Sequence, residues 1–204
     1  MAGVAGSPTM SKLKQPAVIS MKDQKGFSLV ELIIVVLIIG VIAAIAIPSL
    51  IASRRSANEG SAVAGIRVLH GAQMTYAASL GNAQFAGATN SGTPGAPGLV
   101  PLTELYAANL IDSVIASGTK SHYRFAGERG LGIPGPGGTP ATFYFTVYPI
   151  AATGLTQTGT RRFGIETSGV IVRDGTAASL NSFLTYNEIL ACQLTPTGCG
   201  PWSN

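Results

Sequence analysis

Residues 22–48, KDQKGFSLVELIIVVLIIGVIAAIAIP, decide how the chain is read. From Phe27 to Ile47 only Ser28, Glu31 and Gly40 interrupt a run of apolar side chains. At 1.5 Å per residue, a helix over this run is about 31 Å long, the thickness of a hydrocarbon core of about 30 Å. Lysines precede the run and small residues follow it, the outline of a secretory signal. The run is longer than the apolar core of such a signal, however, and it begins abruptly. A plain signal anchor is the simpler reading, and Glu31 is what that reading leaves unexplained. A carboxylate at the centre of a spanning helix costs roughly 2.5–3.5 kcal/mol, less near an end, and such groups normally face a partner.

The residues Lys25-Gly26-Phe27-Ser28-Leu29-Val30-Glu31-Leu32 resemble the processing site of type IV pilins and type II secretion pseudopilins. The likeness lies in a basic residue, Gly, Phe, a Glu fifth from the cut, and an unbroken aliphatic run. It implies that a prepilin peptidase cuts after Gly26, that the new N-terminal Phe27 is methylated, and that the apolar run stays as the mature N-terminus. Gly40 and Pro48 match positions where the family's helix loosens or bends. The resemblance is strong over residues 22 to about 50 and weaker over SAVAGIRVLHGAQMTYAAS (61–79); beyond residue 80 only a general layout is shared. It gives Glu31 an assembly role. When helices of neighbouring subunits pack, the Phe27 amine of one meets the Glu31 carboxylate of another, which replaces an unpaired buried charge by a paired one and fixes axial register.

Residues 1–26 are thus expected to be a removed leader. Met21 would shorten it to MKDQKG, Met10 is a further candidate start, and a long leader is the alternative. Residues 27–48 are expected to form the transmembrane and filament-core helix, 49–80 an amphipathic helix on the head, and 81–204 the head itself.

Charge supports a chain that buries much of its surface against lipid or copies of itself. Asp, Glu, Lys and Arg make up 11% of the 204 residues, against about 25% in an ordinary soluble domain. The net charge of +4 is concentrated at the front, where Lys12, Lys14, Lys22 and Lys25 face only Asp23. The remainder has nine Lys/Arg against eight Asp/Glu, which gives no argument for a nucleic-acid partner.

After Pro48, Val63, Ile66, Leu69, Tyr76 and Leu80 form an apolar stripe at helical spacing, with Arg54, Arg55, Glu59, Arg67 and Gln73 assigned to the polar side. The helix is expected to end near Ser79 with Gly81 as C-cap, so the two segments together make one helix of about fifty residues kinked near Pro48. Residues 81–101 read as a Gly/Pro-rich loop, LTELYAANLI (102–111) as a short helix with Thr103 as N-cap, and SHYRFAG (121–127) as a strand. Residues 127–140 read as loop. Within them GLGIPG (130–135) fits a dinucleotide-binding pattern only formally, because Pro134 and Pro136 disfavour the helix that must follow. ATFYFTVYPI (141–150) is the strongest strand; TRRFGIE, TSG and VIVRD follow as strand, turn and strand, and SLNSFLTYNEILA (179–191) as a short helix. The fold class is α+β, a long N-terminal helix packed on a small antiparallel sheet of three or four strands, pilin-like in layout.

Between Cys192 and Cys199, Pro196 and Gly198 supply turn chemistry, so a disulfide is the expectation and two separate reduced thiols the alternative. Such a bridge contributes on the order of 2–3 kcal/mol and needs an oxidising compartment. Pilins often close a surface loop this way, though with longer spacing. Nothing nearby completes a zinc site. His70 and His122 are isolated and read as structural; Asp112, Glu166, Asp174 and Glu188 read as scattered surface charge. No catalytic or cofactor motif is found, and neither catalytic nor metal-binding residues are assigned. The resemblance implies a non-enzymatic filament subunit of a type IV pilus, serving adhesion, motility or DNA uptake. Its partners would be copies of itself, minor pilins, the prepilin peptidase and the inner-membrane assembly machinery. The N-terminus would be cytoplasmic and the head periplasmic in a bacterial inner membrane, and the assembled pilus extracellular. A pseudopilin of a type II secretion system is the second reading, and a membrane-anchored enzyme or binding module the third.

Overall fold

The computed structural model of the protein describes residues 26–87, 96–132, 138–194 and 198–202. The chain divides into two units, residues 1–44 and 45–204. In the first, the described residues from Leu29 on belong to the start of a helix, α1 (Leu29–Ser79), that is long and apolar enough to cross a membrane. From Gly26 to Ala44 all of its side chains are exposed except the half-buried Ala43. Its many Ile and Val residues would suit a strand in water. Helix is the form that satisfies every backbone group within the segment, as lipid requires. α1 runs through both Gly40 and Pro48.

The second unit contains the rest of α1 and the head. The head's helices are α2 (Val100–Ala107), α3 (Ser113–Ala116) and α4 (Tyr186–Leu194). Its strands are β1 (Thr119–Lys120), β2 (Tyr123–Gly130), β3 (Thr142–Pro149), β4 (Arg162–Glu166), β5 (Ile171–Asp174) and β6 (Cys199–Pro201). They pair in sequence order as one antiparallel meander. Alternation along β3 sorts its side chains between two layers. Phe143, Phe145 and Val147 join Ala62, Val63, Ile66 and Leu69 of α1 in the main core, with Phe125, Phe163 and Ile165 from the flanking strands. Tyr144 lies in a second cluster with Val172, Leu184, Ile189 and Cys192 under α4. Gly65 lets the helix approach the sheet, for a Cβ there would come within 2.7 Å of the Phe125 ring.

Several expectations are corrected. The sheet has six strands, not three or four. β1 was illegible because its two-residue turn to β2, Ser121 and His122 with φ of 49° and 62°, lacks the usual Asn or Gly. A hydrogen bond between the Ser121 and Ser61 hydroxyls (2.8 Å) ties that turn to α1. β6 is pinned to β5 beside the cysteine loop. Residues 127–130, expected as loop, continue β2, where Gly127 makes room for the Phe145 ring opposite; residues 133–137 lie outside the described set. Thr103 is not an N-cap: α2 starts at Val100, helped by Pro101 in its first turn, and the Thr103 hydroxyl donates back to the Val100 carbonyl.

α1 ends at Ser79, but the left-handed residues after it are Asn82 and Ala83, not Gly81. Gly81 is needed for space, since a Cβ would lie 1.9 Å from the Gln84 carbonyl oxygen. Leu80, assigned to the apolar stripe, is 62% exposed. Glu59 and Gln73, assigned to the polar side, are buried.

Candidate functional site

Two sets of residues bear on function, the free N-terminal segment and the polar anchors that fix the head. In the first, Ser28 precedes α1, its carbonyl accepts from the Leu32 N–H (3.2 Å), and Glu31 stands in the first helical turn. A carboxylate there is favoured by the helix macrodipole by about 0.3–1 kcal/mol, which offsets part of its cost in lipid. Ser28 and Glu31 have capping-box spacing, a signal the sequence reading missed. Phe27 is 85% exposed, Glu31 is exposed, and open space surrounds Gly26. The Ile, Val and Leu side chains that follow are exposed. Met21, Lys22 and Lys25 lie outside the described residues.

The anchors of the head come from charges that the sequence reading dispersed. Glu59 accepts from the Thr160 N–H and hydroxyl (both 2.7 Å) and pairs with Arg161 at 3.3 Å, fastening α1 to the segment before β4. Gln73 exchanges two hydrogen bonds with the Ala86 backbone, holding the chain that leaves α1. Arg162, buried on β4, pairs with Asp174 at 2.7 Å and Glu188 at 3.1 Å and also donates to the Phe183 carbonyl. This cluster joins β4, β5 and α4. Burial alone would raise the Asp174 carboxyl, but hydrogen bonds from Thr176 and the Arg162 guanidinium outweigh it and hold the group below its ordinary range. The same balance, struck by Thr185 and Arg162 against burial, lowers Glu188.

Of the four acids read as scattered surface charge, Asp174 and Glu166 are buried. Glu166 accepts from the Ser168 N–H and the Gln193 amide. Asp112 caps α3 and lies 3.8 Å from Lys120. A signal for the Arg162–Asp174 pair was available: a turn centred on Ser168 sets these two residues opposite each other. His70 contacts the Thr167 carbonyl and packs on Phe143; His122 occupies the β1–β2 turn. Cys192 and Cys199 are joined by a disulfide with Cα atoms 5.2 Å apart, linking α4 to β6. Burial raises the hydroxyls of Tyr123, Tyr144 and Tyr186, and nearby carboxylates raise them further. That of Tyr123 donates to the Arg161 carbonyl.

The arrangement is an exposed apolar helix start followed by a head closed by internal polar ties, a layout that fits an anchored structural subunit. Comparison with known proteins agrees. Residues 21–47 match the family described as the prokaryotic N-terminal methylation motif. The chain is 32% identical over 111 residues to the type IV wide pilus major component PilA4 of Thermus thermophilus, covering 54% of this chain and 78% of that protein. No solved structure gives a significant match. The chain belongs to the type IV pilin and pseudopilin family.

Proposed function

We propose that this protein is a structural subunit of a type IV pilus. α1 first holds it in the inner membrane with the head in the periplasm, and then lines the core of an extracellular fibre. The observation that carries this reading is the similarity to a pilus major component, extending past the N-terminal motif to 78% of that protein. Cleavage falls between Gly26 and Phe27, Phe27 receives the methyl group, and the Glu31 carboxylate pairs with the Phe27 amine of a neighbouring copy. Gly40 and Pro48 are where α1 adjusts during packing. The partners are further copies, minor pilins, the prepilin peptidase and the assembly machinery, and the subunit itself performs no catalysis.

The test is mass spectrometry of the N-terminal peptide from fibres sheared off cells. Methyl-phenylalanine at Phe27 in abundant surface fibres is the expected result. A chain that keeps residues before Phe27 overturns the processing step, and protein confined to the inner-membrane fraction overturns the pilus reading in favour of a secretion pseudopilin.

A further inference from the structure

Arg161 stands one residue before β4, and Arg173 lies on β5 opposite Phe163. Alternation turns Arg161, Phe163 and Arg173 to one face of the sheet, and all three meet Trp202 there. The Phe163 ring is edge-on to the indole at 5.3 Å, and the guanidinium carbons of Arg161 and Arg173 lie 5.8 Å and 5.9 Å from the indole centroid. The two cations are diagonal neighbours, roughly 7–8 Å apart on a regular ladder, and like charges so placed repel. Their partners are unequal. Arg161 gives Nη1 to Glu59 at 3.3 Å, while Arg173 makes no ion pair among the described residues. Asp174, beside Arg173 in the chain, is turned to the other face, where it holds Arg162 at 2.7 Å.

Both arginines line a cleft of about 470 Å³ whose other walls include Gly175, Gly198, Gly200 and Pro201, with no acidic side chain among the lining residues. That volume is within the range of about 300–1,000 Å³ of small-molecule sites. The glycine walls leave peptide N–H and C=O groups without side chains over them. Gly198 has a φ of 81°, so its backbone favours glycine. Gly175 has no such need: a Cβ there would meet its nearest neighbours at 3.8 Å and 3.9 Å, ordinary contact. The missing side chain at Gly175 therefore serves the room in the cleft and not the fold.

We propose that this cleft binds a small sugar acid, with its carboxylate between Arg173 and the remaining N–H groups of Arg161 and its hydroxyls on the glycine walls. Two guanidiniums less the Glu59 carboxylate leave one positive charge, which a monoanion balances and a phosphate dianion exceeds. The planar guanidinium fork matches a carboxylate edge. A neutral sugar would leave Arg173 without a counter-charge. The site lies wholly within the second unit and is independent of whether the subunit serves a pilus or a secretion fibre.

Calorimetric titration of the full chain in detergent micelles with sodium glucuronate at constant ionic strength tests this, with glucose as the neutral match. Trp202 is the sole tryptophan, so its fluorescence, followed alongside, reports on the guanidiniums over it. Saturable binding of glucuronate and none of glucose is the expected result. Arg173→Gln should weaken it about tenfold. Gly175→Asp, which puts a competing carboxylate into the cleft, should abolish it, whereas Gly175→Ser should retain it; unchanged unfolding midpoints show that these variants are folded. Absence of both heat and fluorescence change with glucuronate overturns the inference, as does equal binding of glucose or an Arg173→Gln variant that binds as the unsubstituted chain does. Displacement of glucuronate by a dinucleotide at equal concentration assigns the cleft to a phosphodiester and overturns the sugar acid.

Discussion

The two halves of α1 have opposite relations to the rest of the chain. In the first, Ile33 to Ile39 are each about half exposed or more. In the second, Ala62, Ile66 and Leu69 are fully buried, and even the polar Glu59 and Gln73 are turned inward and hydrogen-bonded. One helix therefore carries a segment packed into the core of its own head and a segment whose side chains stand exposed. The difference lies in the side chains alone. The second half mixes small residues such as Ala62 and Gly65, which let a sheet approach, with polar groups that grip its loops. The first half also has small residues, Gly40, Ala43 and Ala44, but apart from Glu31 and Ser49 it is made of apolar side chains, the surface that lipid or other identical helices cover.

Substitutions in the two halves and in the head test this contrast. Arg162→Ala should have the largest effect, about 3–5 kcal/mol, because it leaves Asp174 buried without its cation. Denaturant unfolding measures it, and Arg162→Ala with Asp174→Ala should recover part of the loss. Ile66→Ala should cost about 2–5 kcal/mol of head stability through the cavity it opens. Ile38→Ala, the same change in the uncovered half, should leave head unfolding within about 0.5 kcal/mol. Equal effects at the two positions would break the contrast.

Replacing Cys192 and Cys199 by serine should cost about 2 kcal/mol. A smaller effect comes from acid. Asp174 and Glu188 are held below their ordinary values in the folded head. Their contribution is therefore complete above the unfolded carboxylate range of about 3.9–4.3 and is lost as pH falls through the lower folded values. Unfolding midpoints should be level from neutral pH to about pH 5 and drop below about pH 4, with a shallower drop in Asp174→Asn.

What could be read in the sequence follows the same division. The apolar run is a one-dimensional pattern, so its helix and the cut before Phe27 could be proposed without any tertiary knowledge. β3 was equally legible because its aromatic alternation, Phe143 to Tyr148, is itself the instruction for a sheet covered on both faces. Legibility failed where a residue's role depends on a distant partner. Glu59 was counted as polar surface because Thr160 and Arg161, its partners, are about a hundred residues away. β1 was missed because Ser121 and His122 are poor markers of a tight turn and are held there by contacts such as that to Ser61. Leu80 fitted the stripe by spacing, but the helix had ended one residue before it.

We propose that the exposed half of α1 is completed by other copies of the chain, with Glu31 as the group that selects them. Cells producing only Glu31→Leu, fractionated into membranes and sheared surface fibres, test it most directly. Protein is expected to be retained in the membrane at the unsubstituted level, with fibres lost or greatly reduced. Normal fibres built from that variant would contradict it.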